Sequence, residues 1–370
     1  MPMIYNKDNR ENEWGPDPER EARQGNQREA RQENTEEAAA LEMHQRRQFS
    51  YVGFTASAFM LITLAAQLAA IALVNLLDPV LGDFIDFYGT TGRMLMSAIP
   101  MYLVAFPAAA GLVRLIPRCG APEREQWGFS KFAACFVIAM GIGLAGNILG
   151  RLVGLFSPGG TDSADLENML LNSNMWLNML ITVIMAPVVE ELFFRKLIMD
   201  RLLGYGQKAA VIVSGLMFGM AHGNFSQFFY AFGIGVLWAY VYAKTGKIGY
   251  TIGFHMIFNL LGGIFAVELS KGVQGLSEGP WVLRQLEQLA GIDFNWLITA
   301  ISSVLTLAYV MFMAACLIAA VTLLIVYRRR IVFCPGERPL GKGKAFRTVV
   351  LNMGMIVYVL VCCGLFALSW

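Results

Sequence analysis

Seven residues that could carry or support chemistry lie in three groups within apolar stretches of this 370-residue chain. They are Glu190, Glu191 and Arg195; Phe218 and His222; and His255 and Asn259. An ionisable side chain at bilayer depth costs about 2.5–3.5 kcal/mol to insert, so such residues are rare and usually functional. A carboxylate and two imidazoles that meet in a dry pocket can activate a water molecule for hydrolysis.

Helical periodicity assigns these residues to faces. Glu191 and Arg195 are four residues apart, which predicts an ion pair on one face of a helix. Glu190 is rotated by about 100° from Glu191, so one carboxylate can be held by the arginine while the other is left for chemistry. Pro187 removes a backbone hydrogen bond and is expected to bend the helix beside Glu190. The four-residue spacing recurs in two further pairs, Phe218–His222 and His255–Asn259.

Two mechanisms are compatible with these residues, and their spacing does not separate them. In the first, Glu190 is a general base that takes a proton from a water, His222 holds this water, and His255 and Asn259 donate to the developing oxyanion. In the second, Glu190, His222 and His255 bind a divalent metal such as zinc, which acidifies the water.

Each group also has an explanation that involves no catalysis. The Glu191–Arg195 pair could be purely structural, and a single histidine in a membrane helix could simply link two helices. The alternative function is a non-catalytic membrane binder or an ion-coupled transporter that uses the buried Glu/His cluster. The absence of an internal sequence repeat favours the hydrolase over the transporter.

The composition of the chain identifies its solvent. The chain is 56% hydrophobic and only 15% charged, whereas soluble domains are about 25% charged. Residues 1–49 hold 19 of the 56 charged residues, which leaves the remainder still more apolar. This composition excludes a soluble enzyme and a nucleic-acid-binding protein, and it predicts a protein that is embedded in a lipid bilayer.

Apolar stretches of about 20 residues predict transmembrane helices and an all-α fold. The nine predicted spans cover residues 51–77, 94–116, 130–156, 175–198, 209–223, 226–243, 250–268, 296–327 and 347–369. The segment 209–223 is shorter than a full crossing, so we expect its helix to start or tilt deep in the bundle and to bring His222 to mid-depth.

The distribution of charge predicts the orientation and the domains. Arginine and lysine concentrate in alternate loops, from Arg46 and Arg47 to the cluster that begins at Arg328, which places the N-terminus and these loops in the cytoplasm. Residues 1–49 are predicted to be a disordered, charged cytoplasmic tail with a helical stretch near 24–47, and residues 50–370 to be the membrane domain. The lack of an organelle-targeting segment favours a prokaryotic plasma membrane.

The three polar groups resemble a known set of motifs. Glu190-Glu191-x-x-x-Arg195, Phe218-x-x-x-His222 and His255-x-x-x-Asn259 are similar to the signature of the CPBP family. This family comprises CAAX proteases and bacteriocin-processing (Abi) enzymes related to the Ras-converting endopeptidase. The resemblance covers residues 176–266.

The resemblance implies an intramembrane endopeptidase with an eight-helix core, one extra span at an end, and a peptide or protein substrate at the membrane. It also implies that Glu190 is the water-activating base, that His222 is its partner, and that His255 and Asn259 stabilise the oxyanion. Members of the family have been described both as zinc-dependent and as glutamate-dependent.

Overall fold

Eight of the nine predicted spans each overlap one helix in a computed structural model of the chain, and the span 347–369 overlaps two, Ala345–Val349 and Met353–Leu368. The structure describes residues 18–81, 86–156, 172–273, 295–341 and 343–368, together with the isolated positions 285, 288 and 289. The helices are α1 (Pro18–Leu81), α2 (Thr90–Arg114), α3 (Phe129–Gly154), α4 (Met175–Arg201), α5 (Gln207–Ala221), α6 (Phe225–Thr245), α7 (Ile248–Val273), α8 (Asn295–Tyr327), α9 (Ala345–Val349) and α10 (Met353–Leu368).

These helices form a polytopic membrane bundle. Within the described residues, seven helices are long and apolar enough to cross a bilayer, and α5 and α10 are shorter apolar helices. Large apolar side chains face outward, as at Leu68, Leu307 and Ile318, which are 58%, 64% and 70% exposed. A surface of this kind is unfavourable in water but matches the acyl chains of a bilayer.

Helix α1 joins the predicted tail to the membrane domain without a break. The predicted helical stretch near 24–47 lies within α1, and the helix continues through the predicted boundary at residue 49. Residues 26–41 are exposed, and burial begins at Gln45 and Gln48. Residues 1–17 lie outside the described part of the chain, and the division into a disordered tail and a membrane domain stays a prediction.

One end of the bundle is closed by a polar layer, which we define as residues 42–48, 115–125, 199–207, 243–247, 333–341, 343 and 344. Gln48 donates to the carbonyl of Pro117 at 2.7 Å, and Gln45 donates to that of Arg338 at 2.9 Å. Gly204 N–H donates to Cys119 O at 2.7 Å. These segments belong to loops that the charge distribution places on one common side, and the structure brings them together.

Helix α4 is irregular on both sides of the two glutamates. A π-helical turn at Met179–Met185 precedes Pro187, and a second follows at Leu192–Ile198. Such wide turns accommodate the loss of the backbone hydrogen bond that proline cannot donate, and they often occur at functional sites. The helix ends in short 3₁₀ turns through Tyr205, and Gly206 then turns the chain with φ +120°.

Helix α5 begins at the polar layer. Its first residue, Gln207, is only 5% exposed, and the preceding Leu202, Leu203 and Tyr205 are buried as well. The helix carries His222 at its C-cap, and the position of His222 at mid-depth of the bilayer stays a prediction.

Helix α6 occupies the centre of the bundle, between α3 and α5. A Cβ at Gly215 of α5 would lie 2.5 Å from Val236 Cγ2, and a Cβ at Gly146 of α3 would lie 2.4 Å from Tyr230 N. Both distances are too short for any side chain, so glycine is required where these helices approach α6. Helix α6 therefore packs closely against both α3 and α5.

Candidate active site

His255 of α7 lies between the two adjacent glutamates of α4. Its Nδ1 is 3.1 Å from Glu191 Oε1, and its Nε2 is 3.7 Å from Glu190 Oε2. The His255 side chain is 4% exposed, that of Glu191 is 0% and that of Glu190 is 18%. The structure thus brings together three of the predicted site residues, with Glu190 as the more accessible carboxylate.

The predicted ion pair between Glu191 and Arg195 is present and fully buried. Arg195 Nε lies 3.2 Å from Glu191 Oε2, and neither side chain is exposed. Arg195 also donates from Nη2 to the carbonyl of Gly235 in α6 at 3.3 Å, and its Cζ lies 4.5 Å from the centre of the Phe218 ring. Glu191 therefore uses one oxygen for Arg195 and the other for His255, as helical periodicity predicts for the arginine but not for the histidine.

His222 is the C-cap residue of α5. Its Nδ1 is 2.9 Å from the carbonyl of Phe218, and its ring meets the Phe218 ring edge-on at 4.9 Å. The Phe218 ring also meets His255 edge-on at 5.7 Å, so one phenyl ring separates the two imidazoles.

Asn259 links two helices of the site. Its amide Nδ2 donates to the carbonyl of Thr182 at 2.8 Å, within the first π-helical turn of α4. In a π-helical turn the carbonyl of Thr182 would accept from residue 187, which is a proline without an N–H, and the asparagine supplies a donor instead. This contact holds α7 against α4 one turn beyond His255.

The residues also bear on the zinc mechanism. Among the residues that the structure describes, no three His, Cys, Asp or Glu side chains are grouped so that they could hold a metal ion. His222 and His255 each direct Nδ1 to another protein atom, Phe218 O and Glu191 Oε1. These contacts leave Nε2 of both imidazoles available, as in histidines that bind a metal through Nε2 and are oriented through Nδ1. The residues that would hold a metal are Glu190, His222 and His255. We write the mechanism with the residues of the chain alone, and metal analysis of the active protein separates the two mechanisms.

Helix α6 contributes two groups that sequence reasoning did not identify. Gly235 provides the carbonyl that accepts from Arg195, and Trp238 stacks on His255 with ring centres 4.4 Å apart. Neither belongs to a polar motif, and an aromatic residue within an apolar helix carries no signal that separates it from the core. Their three-residue spacing on one helix face becomes informative only once the partner helices are known.

Comparisons with known proteins agree with this geometry. The family model described as "Rce1-like: Type II CAAX prenyl endopeptidase Rce1-like" matches residues 172–261, which contain all three motifs. The chain is also 26% identical over 170 residues to "Putative membrane peptidase YdiL" of Bacillus subtilis (strain 168), an alignment that covers 42% of this chain and 67% of that protein. No solved structure matches. The resemblance that the motifs indicate is thereby confirmed: the segment 172–261 of this chain is similar to the CAAX-type membrane proteases of the CPBP family.

Proposed function

We propose that the protein is an intramembrane endopeptidase that hydrolyses a peptide bond with a water activated by Glu190. The observation that carries this proposal is that the two adjacent glutamates have different surroundings. Glu191 is buried and engaged by Arg195 and His255, whereas Glu190 is 18% exposed and lies 3.7 Å from His255 Nε2. A carboxylate that is accessible to water and close to an imidazole is suited to general base catalysis.

His222 is suited to hold the attacking water. If its Nδ1 carries the proton and donates to Phe218 O, as the 2.9 Å distance favours, its Nε2 presents a lone pair. This nitrogen accepts a hydrogen bond from the water, and Glu190 takes the other proton as the water oxygen attacks the substrate carbonyl carbon.

His255 and Asn259 are the donors that we assign to the oxyanion. A protonated His255 donates from both ring nitrogens, to Glu191 through Nδ1 and toward the reacting centre through Nε2. An amide has two N–H groups, and Asn259 uses one of them for Thr182 O. When the tetrahedral intermediate collapses, the peptide C–N bond breaks and Glu190 returns its proton to the leaving amine.

The experiment uses the purified full chain in lipid–detergent micelles and a library of peptides that carry a fluorophore and a quencher. Mass spectrometry of the products identifies the cleaved bond, and the fastest substrate becomes the reporter peptide. We expect cleavage that persists after dialysis against a chelator, in protein without stoichiometric metal. Absence of cleavage throughout the library contradicts the endopeptidase, and reversible loss of activity on chelation, restored by zinc, contradicts the glutamate mechanism.

A further inference from the structure

We infer that Trp238 is a positioning residue that fixes the ring of His255 for the reaction. This inference rests on the proposed function, because it concerns how His255 presents Nε2 to the reacting centre. Trp238 lies on α6, outside the three motifs, and its side chain is completely buried.

The contacts of His255 define its orientation in two independent ways. The indole of Trp238 lies against the face of the imidazole at 4.4 Å, with an angle of 29° between the rings, and this fixes the plane of the imidazole. Glu191 holds Nδ1 at 3.1 Å, which fixes the rotation of the ring within that plane. With both constraints in place, Nε2 can point only toward the side of Glu190, 3.7 Å away.

The indole is not retained for hydrogen bonding. Trp238 Nε1 is buried and has no hydrogen-bond partner among the described residues. An unpaired buried donor costs about 1–3 kcal/mol, a cost that phenylalanine would avoid. The distinctive property of the indole is its large, electron-rich face, which binds cations better than the faces of other aromatic side chains.

That face lies beside positive charge on two sides. Arg195 Cζ is 5.9 Å from the centre of the Trp238 ring, and His255 becomes a cation whenever both of its nitrogens are protonated. The stacked indole therefore stabilises the form of His255 that donates from Nε2. We infer that this stabilisation of protonated His255 offsets the cost of leaving the Trp238 N–H unpaired.

Helix α6 is built to hold the indole in this place. Gly235, three residues before Trp238, accepts from Arg195, and a Cβ at Gly235 would lie 2.9 Å from Phe218 Cδ1. The glycine therefore lets α6 approach α5 closely. The rings of Phe218 and Phe258 also contact the indole, with centres 6.3 Å and 5.9 Å away, so Trp238 has little freedom to move.

The test compares Trp238→Phe with Trp238→Leu in the purified full chain with the reporter peptide. Phenylalanine keeps a stacked ring but offers a face that binds a cation less well, so we expect kcat to fall by only about threefold. Leucine removes the ring, and we expect kcat to fall about 10–100-fold with KM within about twofold, since a misplaced catalytic group costs rate rather than binding. Trp238→Met replaces Trp238→Leu if the latter does not fold, with the same expectation.

Tyr242→Leu provides the matched control, because Tyr242 is equally buried on α6 but contacts Asp200 instead of the site. We expect it to lower the melting temperature while kcat per folded molecule stays near the parent. Unchanged kcat in Trp238→Leu, or equal losses in the Phe and Leu variants, overturns the inference. Cleavage by Glu190→Gln at the parent rate overturns the proposed function instead, so the two failures are distinguishable.

Discussion

The side chains of Glu191, Arg195 and His255 form a continuous buried chain of polar contacts. Each oxygen of Glu191 meets a different nitrogen-bearing partner, at 3.2 Å and 3.1 Å. A buried ion pair contributes little net stability by itself, because desolvation cancels much of the attraction. We propose that the pair directs His255, which would make it more than a structural link between turns of α4.

Substitutions of Glu191 and Arg195 separate the effect of this ion pair on stability from its effect on the position of His255. Arg195→Met leaves the buried carboxylate of Glu191 without its guanidinium, so we expect a loss of about 3–5 kcal/mol in the free energy of unfolding. The double variant Glu191→Leu/Arg195→Met removes both charges and should recover most of this loss. It should still cleave the reporter peptide at least about tenfold more slowly, because His255 loses the acceptor at Nδ1.

Thermal unfolding in detergent and cleavage of the reporter peptide measure these two effects. If the double variant regains stability and also cleaves at the parent rate, the pair is only structural and the positioning role of Glu191 is wrong.

At the scale of elements, the predictable features are those that one helix determines alone. The nine apolar stretches predict the helices because each is long enough to require internal backbone hydrogen bonding in lipid. The Glu191–Arg195 pair follows from the four-residue spacing within α4. The contacts of Asn259 with Thr182 and of Trp238 with His255 could not be predicted, since each depends on how two helices pack and, for Thr182, on a π-helical turn.

The carboxylate of Glu123 links several segments of the polar layer, a role that no motif in the sequence indicates. Glu123 Oε1 accepts from Gln207 Nε2 at 2.7 Å, Lys244 Nζ at 2.9 Å and Cys334 Sγ at 2.7 Å, which joins two loops to the ends of α5 and α6. Burial raises the pKa of Glu123, but the hydrogen bonds from Cys334, Lys244 and Gln207 outweigh it and lower the pKa to about 2.

This shift gives Glu123 a defined effect on stability against pH. Its pKa is about 2 in the folded chain and near the ordinary 4.5 in the unfolded chain, so its contribution is present above pH 4.5 and is lost as the pH falls toward 2. We expect Glu123→Gln to cost about 1–3 kcal/mol at pH 7 and progressively less below pH 4.5. Thermal unfolding of parent and variant at several pH values measures the difference, and a gap that is constant with pH contradicts this assignment.

At the scale of the whole molecule, the protein is a multi-pass membrane protein with its polar layer at one end. The loops to which the layer belongs carry, with their flanks, most of the arginine and lysine outside residues 1–49, which supports the proposal that this end and the N-terminus face the cytoplasm. The assignment to a prokaryotic plasma membrane stays a prediction from the sequence.

Single cysteines at exposed positions test the orientation. We expect Arg31→Cys and Arg329→Cys to be protected from a membrane-impermeant maleimide in intact cells, and Tyr88→Cys, between α1 and α2, to be labelled. Permeabilised cells, in which all three should react, provide the control, and Cys363→Ser removes an exposed native thiol. Labelling of positions 31 and 329 in intact cells, with protection of position 88, would reverse the proposed orientation.

The proposed endopeptidase function depends most on Glu190 as the base that activates water. The most direct measurement is the rate at which purified Glu190→Gln cleaves the reporter peptide, with Glu123→Gln as a glutamate substitution outside the site. We predict a loss of at least about 10²-fold for Glu190→Gln at an unchanged melting temperature, and a rate per folded molecule near the parent for Glu123→Gln. Cleavage by folded Glu190→Gln at the parent rate would contradict the role of Glu190 as the general base.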